Sequence, residues 1–488
     1  MTASLALLPC AAAVLAVMGF RLSGLAAAAL SLTCAVVLWA FGLFSPAEFD
    51  HLSHAVTDAL VLEILVGVVV FFGLLFIEVS SRSGGLGALS DAVGSLGMST
   101  PRTVILIALG IGVALESLTG YGVSMLVSVP LLLRVVGRRQ TIRLALIGMS
   151  LMSWGALSVS ALLGAELAGL PTPVLAEAIL RTSGPVAALL PFFCLIGLPG
   201  VGPRDVGQAL IAGIVLVGGI ATTSHWIGVE AAGVGGGLAV IVFCVTTAGS
   251  RDGLARSLLS PAMLPYGLLI TGVVLQKLAI PHVISMGITP AIETDRVSFR
   301  VLESPGLALL AVSLISIAIA RRPDLGGEGG RSGGSLLLQV AGRAGRPLAG
   351  IFLFLLTARL LVETGGIAAL AEMLSRLGAY TATVVVTVLG GVGAFATGSG
   401  VTSNALFMSS AAATGASLGV PVLFAALQHS GSAHVAMASL PVIAILTAAL
   451  PDRRDGDERA AMHAGLGLAA IWLLLVIASG WTQLHLGV

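Results

Sequence analysis

Apolar runs of roughly 20 residues recur along almost the whole of this 488-residue chain, and they constrain its fold more than any other feature. Residues 60–79 are typical, with Glu63 and Glu78 as their ionisable side chains. A helix rises about 1.5 Å per residue, so a run of about 20 crosses the hydrocarbon core of a bilayer. Candidate spans fall at 4–20, 24–44, 60–79, 101–115, 142–164, 184–199, 206–223, 229–248, 260–280, 305–320, 348–363, 379–396, 421–449 and 463–484. They predict an all-α polytopic membrane protein with about 12–14 transmembrane helices. The first run has no basic stretch ahead of it and a second follows almost at once, so it reads as a helix rather than a leader. Composition agrees: 57% of residues are hydrophobic and only 10% are charged, with a mean hydropathy of +1.06. So little charge excludes a soluble enzyme, a nucleic-acid binder and a disordered chain. A net charge of +1 offers no charged face for a macromolecular partner.

Cysteine and lysine narrow the chemistry further. Cys10, Cys34, Cys194 and Cys244 each lie inside an apolar run and form no C-x-x-C pair, so they read as packing residues. The single lysine, Lys277, stands beside 23 arginines. The glycine-rich tract Gly326–Gly334 has no lysine, so no phosphate loop for an ATP-driven pump is present there. His51, His54 and Asp58 have helical spacing but no further ligands in sequence reach, and a solvated face is the expectation for them. No metal, cofactor or catalytic residue is expected.

Basic residues in short loops set orientation. Arg134, Arg138, Arg139 and Arg143 form the densest basic loop, and Arg321, Arg322, Arg331, Arg343 and Arg346 lie in the longest polar one. Both are expected on the cytoplasmic side, with the mixed 452–459 loop. The chain then divides into N-terminal helices (1–59), a first half (60–320), a cytoplasmic linker (321–346) and a second half (347–488).

A shift of 280 residues aligns Pro101–Leu170 with Thr381–Leu450 without a gap, and 12 of 70 positions are identical. Both segments open as an apolar helix and break into a Gly/Ser/Thr-rich stretch at the same point, at 114–125 and at 395–407. Non-helical backbone at membrane depth survives only inside protein or beside water. Paired interruptions at matching points of two halves point to a transporter's binding site. Helix N-termini at such breaks offer N–H groups and a positive dipole end to an anion.

Glu116 lies at the first break, and an ionisable group inside a membrane is functional by default. It is the expected proton-coupling residue. Ser117, Thr119, Tyr121 and Ser124 surround it with hydroxyls, and the second break supplies Thr397, Ser399, Thr402, Ser403 and Asn404. These groups suit a small ligand with a carboxylate and a hydroxyl, and they could equally serve Na⁺ through their oxygens. A third polar cluster holds Gln428, His429, Ser430, Ser432 and His434, with Ser430 and His434 on one helical face. Arg359 is the sharpest cationic candidate for substrate, since arginine grips carboxylates bidentately; pairing with Glu363 one turn away is the competing use. Lys277 and His282 read as interfacial.

At the two breaks the sequence resembles the L-lactate permease family of bacterial secondary transporters, which includes glycolate permeases. The family's first motif, Glu-Gly-Ala-Ala-Gly-Phe-Gly, is matched by Glu116, Gly120 and Gly122, with Tyr121 for the Phe; Ser117, Leu118 and Thr119 depart. Its later motif, Thr-Gly-Ser-Asp-Thr-Ser-Ser-Asn-Ala-Leu-Phe, is matched by Thr397, Gly398, Ser399, Ser403, Asn404, Ala405, Leu406 and Phe407. Gly400 replaces the Asp, and the family's downstream Lys is missing near His434–Met437. The resemblance implies two inverted repeats with re-entrant or broken helices, and import of a lactate- or glycolate-like 2-hydroxymonocarboxylate with protons by alternating access. The implied setting is a bacterial inner membrane, with a small organic anion, protons and the lipid bilayer as partners and a homodimer as a compatible assembly. A sodium-coupled carrier or an exporter of another organic anion is the alternative; a channel or a membrane-embedded enzyme fits less well.

Overall fold

The computed structural model describes residues 2–81, 93, 96–120, 122–247, 263–320, 333–452 and 454–487. Helices dominate these residues, and ten are long and apolar enough to cross a membrane, among them Phe49–Ser80, Thr100–Thr119, Thr172–Leu195, Val229–Thr246 and Asp457–Leu486. Shorter apolar helices include Leu8–Met18, Gly24–Ala40 and Gly306–Ile319. The all-α polytopic expectation therefore stands. Several helices start where the sequence signals it, with Pro in the first turn at Thr172, Pro203, Leu264, Pro421 and Leu440.

The repeat is visible element by element. In the first copy, helix Thr100–Thr119 ends at Gly120, and the chain turns back from Gly122 as Val123–Leu133, a re-entrant hairpin. Arg138–Gly148 then runs inward, breaks over residues 149–158, and continues as Val159–Ala168. In the second copy the same order is Ala379–Thr397, a break at residues 398–399, Gly400–Ser417, then Pro421–Ala436, a break, and Leu440–Ala449. The spans read as continuous at 142–164 and 421–449 are thus both interrupted, at matching places. The first of these breaks holds Ser150, Ser153, Gly155 and Ser158, the second covers only residues 437–439, and the sequence reading missed both.

Contacts fix the relative direction of the two copies. Arg138 begins the span after the first hairpin, and it bonds the Pro451 carbonyl (2.8 Å) and Asp457 Oδ1 (2.9 Å), where the last helix begins. That 30-residue helix runs across the molecule, and near its far end Trp481 donates to the Tyr380 carbonyl (3.0 Å), where the second hairpin begins. Ser409, on the returning arm of that hairpin, bonds Leu167 at the end of the first copy's broken span (3.2 Å). One hairpin therefore enters from the face carrying Arg138, and the other enters from the opposite face. The two broken spans meet at their breaks, where His434 Nδ1 donates to the Ser150 carbonyl at 2.6 Å.

Small residues let the hairpins seat deeply. A Cβ on Gly237 would lie 2.6 Å from Ala114 N, and one on Gly431 only 2.2 Å from the Thr387 carbonyl oxygen. Such close backbone approach gives dispersion and packing where lipid supplies no hydrophobic drive. Helix Gly333–Glu363 packs along Phe49–Ser81, its partner at the same 280-residue offset. Of the stretch read as a linker, residues 321–332 lie outside the described residues, and 333–346 form the first turns of that helix.

Candidate functional site

Both hairpin tips line one cavity of about 760 Å³. Glu116, Gly120 and Gly122 come from the first tip, and Thr397 through Thr402 from the second. Between them lie Gly155, Ala156, Val159 and Ser160 of one broken span and Pro441, Val442 and Ile445 of the other. Arg346, Pro347, Gly350, Ile351 and Phe354 line it from the middle of helix Gly333–Glu363. Among the described lining residues, the ionisable ones are Glu116 and Arg346.

Backbone geometry at the tips is demanding. Gly120 has φ +68°, and a Cβ there would lie 2.5 Å from that of Ala156. Opposite it, Ala156, Leu157 and Ser158 hold φ of 49°, 52° and 56°, three successive non-glycine residues in the left-handed region. Each costs about 1–2 kcal/mol, and backbone held this way clusters at ligand and switch sites. Ser158 Oγ donates to the Val229 carbonyl at 2.7 Å and helps hold the turn.

The two tips differ in what occupies the helix start. At the first, Glu116 is buried and folds over the N-terminus of Val123–Leu133: Oε1 accepts from Gly122 N–H (3.3 Å) and Oε2 from Ser124 Oγ (2.7 Å). A carboxylate there is stabilised by the helix dipole and by donors that otherwise lack partners. At the second, the cap is neutral. Ser399 Oγ accepts weakly from Thr402 N–H (3.4 Å), and the Ser399 carbonyl accepts from Ser403 N–H. The N–H groups of Gly400 and Val401 open an 18-residue helix at the cavity wall.

The residues singled out from sequence separate into three groups. Thr397, Ser399 and Thr402 line the cavity beside Glu116. Ser117, Thr119, Ser124, Ser403 and Asn404 brace the tips from within. Thr119 Oγ1 donates to Leu115 O, Ser403 Oγ to Gly390 O (2.7 Å), and Asn404 Nδ2 to Ser160 O (2.6 Å); Ser117 packs against Gly233. His429, Ser430 and His434 stand apart from the cavity lining in a buried network: His429 Nδ1 meets Asn404 Nδ2 (3.1 Å), Ser430 Oγ meets Thr182 and Ser183, and His434 Nε2 meets Ser183 Oγ (3.0 Å). Tyr121 lies outside the described residues.

Arg359 is buried five residues beyond Phe354, outside the cavity lining, and bonds Asp58, with Glu363 at 3.8 Å. The pairing use of this arginine is realised, with Asp58 as the nearer partner. The arginine that does line the cavity is Arg346, near the middle of the same helix, and it stood in the sequence only as a loop charge. Ser160 and the Ala156 turn were also missed, although Ser150, Ser153, Gly155 and Ser158 lie beside them in the sequence. Asp58 and His54 serve this ion-pair cluster, His54 lying 3.9 Å from Glu363. Among the described residues no group of three or more His, Cys, Asp or Glu is gathered to hold a metal.

Re-entrant hairpins, broken spans and a shared central cavity define a multi-pass membrane permease. The chain matches the sequence profile of the family described as L-lactate permease over residues 2–478, nearly its full length, and it belongs to that family. Comparison with individually curated proteins returns no match. The family is one of transporters of a small organic anion across a membrane, as the sequence motifs at the two breaks implied.

Proposed function

We propose that this permease imports a lactate- or glycolate-like 2-hydroxymonocarboxylate together with protons, by alternating access, across a bacterial inner membrane. The contrast between the hairpin tips is the observation that carries the reading. One helix start is filled by the protein's own carboxylate, and its counterpart across the same cavity is capped only by a hydroxyl. The substrate carboxylate seats at that second start, on Gly400 and Val401 N–H, with Thr397, Ser399 and Thr402 hydroxyls beside it. Arg346 draws the anion into the cavity and screens its charge.

Coupling follows from charge. An ionised Glu116 and a bound carboxylate share one low-dielectric cavity and disfavour each other. Substrate therefore binds best when Glu116 carries a proton, and by reciprocity bound substrate favours that proton. A neutral Glu116 also loosens its hold on Gly122 and Ser124, freeing the first tip to move. Together these effects let substrate and proton favour the same conformational step. The inverted relation of the two copies supports an exchange of their roles between an inward-facing and an outward-facing state.

The test is uptake into proteoliposomes. Imposed acid-outside gradients should drive accumulation of labelled L-lactate, and Glu116→Gln should abolish gradient-driven uptake while retaining lactate–lactate exchange. Gradient-driven uptake unchanged in that variant overturns the proton role. A sodium-coupled reading has one observation in its favour: Asn404 Oδ1, Gln428 Oε1 and Ser432 Oγ are buried near the second tip without hydrogen-bond partners among the described residues. Uptake that follows a sodium gradient at constant pH selects it.

A further inference from the structure

An antiparallel β-hairpin, Ala291–Glu293 paired with Ser298–Arg300, lies on the face opposite Arg138, in a chain otherwise helical among its described residues. Its contacts reach three separate helices. Thr294 Oγ1 donates to Asp58 Oδ1 (2.5 Å) on Phe49–Ser81, Arg296 pairs with Glu363 at the end of Gly333–Glu363, and Ser298 N–H donates to Glu166 Oε2 (3.2 Å) on Val159–Ala168. Asp58 and Glu363 are nearly inaccessible, and both also face Arg359. Buried charges this close to a membrane are costly unless paired, so they are poor choices for mere surface anchorage.

Beneath the hairpin lies a second cavity of about 430 Å³, lined by Leu65, Leu162, Glu166, Lys277 and Arg300. It approaches the main cavity closely. Leu65 lines one and Val70 the other on a single helix; Leu162 and Ser160 do the same on Val159–Ala168. The separations are about 7.5 Å and about 3 Å of helix rise. The partition is therefore thin, and it includes the strained turn at Ala156–Ser158. The main cavity, by contrast, is lined at its other end by Arg346, on the basic face.

We propose that the 291–300 hairpin is the gate strap of this permease on the face opposite the basic loops. Latched on Asp58, Glu363 and Glu166, it closes the path from the second cavity to the main one, and it releases when the substrate site turns to that face. The strap ties the broken span of the first copy to Phe49–Ser81 and Gly333–Glu363, the two long helices related by the repeat. Opening thus requires these three elements to part, which the strap forbids while its bonds hold. The proposal rests on reading the main cavity as the transport site.

The test is made in the full chain with its four native cysteines replaced by alanine and Val159→Cys as reporter. A membrane-impermeant maleimide is applied from each face in oriented vesicles. Labelling from the basic face is expected to be fast, and labelling from the hairpin face slow. Thr294→Ala with Arg296→Gln should raise the hairpin-face rate about fivefold, the scale of losing a hydrogen bond or two, and leave the basic-face rate unchanged as the control for folding. A flat hairpin-face rate with intact basic-face labelling overturns the strap. A second arm locks the strap instead of loosening it: Glu166→Cys with Ser298→Cys, oxidised to a disulfide, should stop lactate counterflow until reductant restores it. Full counterflow in the cross-linked protein overturns the proposal on its own. If labelling responds as expected but the parent shows no lactate counterflow, the gate stands and the substrate reading fails.

Discussion

The two hairpin tips descend from one sequence pattern and end in opposite electrostatic states. In the first, Glu116 lies one turn before the break and its carboxylate curls onto Gly122 and Ser124. In the second, the position at the same offset, Ala396, is apolar, and the family's Asp at position 400 is here Gly400. Both helix starts need negative density to satisfy their first N–H groups. One obtains it covalently and gives it up only when Glu116 takes a proton. The other can obtain it from a diffusing anion. A symmetric pair, both filled or both empty, would lack either a place for substrate or a group to sense the proton.

The comparison breaks most severely if Glu116 loses its charge. Glu116→Gln preserves shape and can still accept from Gly122, so the fold should persist with the same unfolding temperature. Proton-driven uptake should fall on the order of 10²-fold, the usual scale for removing a proton-transferring group. Uptake measured between pH 5.5 and 8 should become flat in the variant, and a surviving pH slope of the parent's size would refute the assignment.

Much of this arrangement was legible in the sequence, and the illegible part has a physical cause. Glycine and hydroxyl runs at 114–125 and 395–407 mark helix breaks because they recur at matching points of the two copies, which close packing through small residues does not require. The repeat followed from those breaks, and the family motifs lie in the same residues. What failed was pairing across the molecule. Arg359 and Arg346 sit on one helix about three and a half turns apart, and nothing in the local sequence tells which faces a cavity and which faces Asp58, 301 positions away. The same holds for His429 and His434, whose partners Asn404, Ser150 and Ser183 are all remote in sequence. The turn in the first copy's second break was invisible for another reason: Ala156–Ser158 is forced into the left-handed region by tertiary packing, against its own preferences.

Installing a carboxylate at the second tip tests the contrast from the other side. Gly400 has ordinary φ, and a Cβ there would sit 3.5 Å from Ser432 Oγ and 3.6 Å from Ser160 Cβ, so a side chain can be accommodated. Gly400→Asp should satisfy the helix start internally and raise the dissociation constant for lactate about tenfold or more at neutral pH, a cost near 1.4 kcal/mol. Calorimetry on purified protein reads it directly. Unchanged affinity would move the substrate away from this helix.

Arginine positions give the next contrast. Arg346 is exposed at the cavity, so Arg346→Gln should raise KM about threefold to fivefold, more at low salt than at high, and leave the maximal rate unchanged. Arg359→Gln should do the reverse. It leaves Asp58 buried without its cation, a loss of about 3–5 kcal/mol that appears as a lower unfolding temperature, with KM unmoved in the protein that remains folded. A KM effect at Arg359 larger than at Arg346 would return the substrate to the position that sequence first suggested.

The smallest effect is expected at the neutral cap itself. Ser399 Oγ stands 3.4 Å from Thr402 N–H, too long for a strong bond, so Ser399→Ala forfeits only about 0.5 kcal/mol of capping. It also frees that N–H to face an incoming carboxylate. The lost hydroxyl weakens substrate binding and the freed donor strengthens it, so KM should change by less than about twofold while stability falls slightly. An equally small response would be surprising at the first tip, because Ser124 holds the Glu116 carboxylate at 2.7 Å, and removing it strips a charge-assisted bond from a buried group. Measured side by side, Ser399→Ala and Ser124→Ala therefore report whether the two tips really divide the work between a guest anion and a resident one.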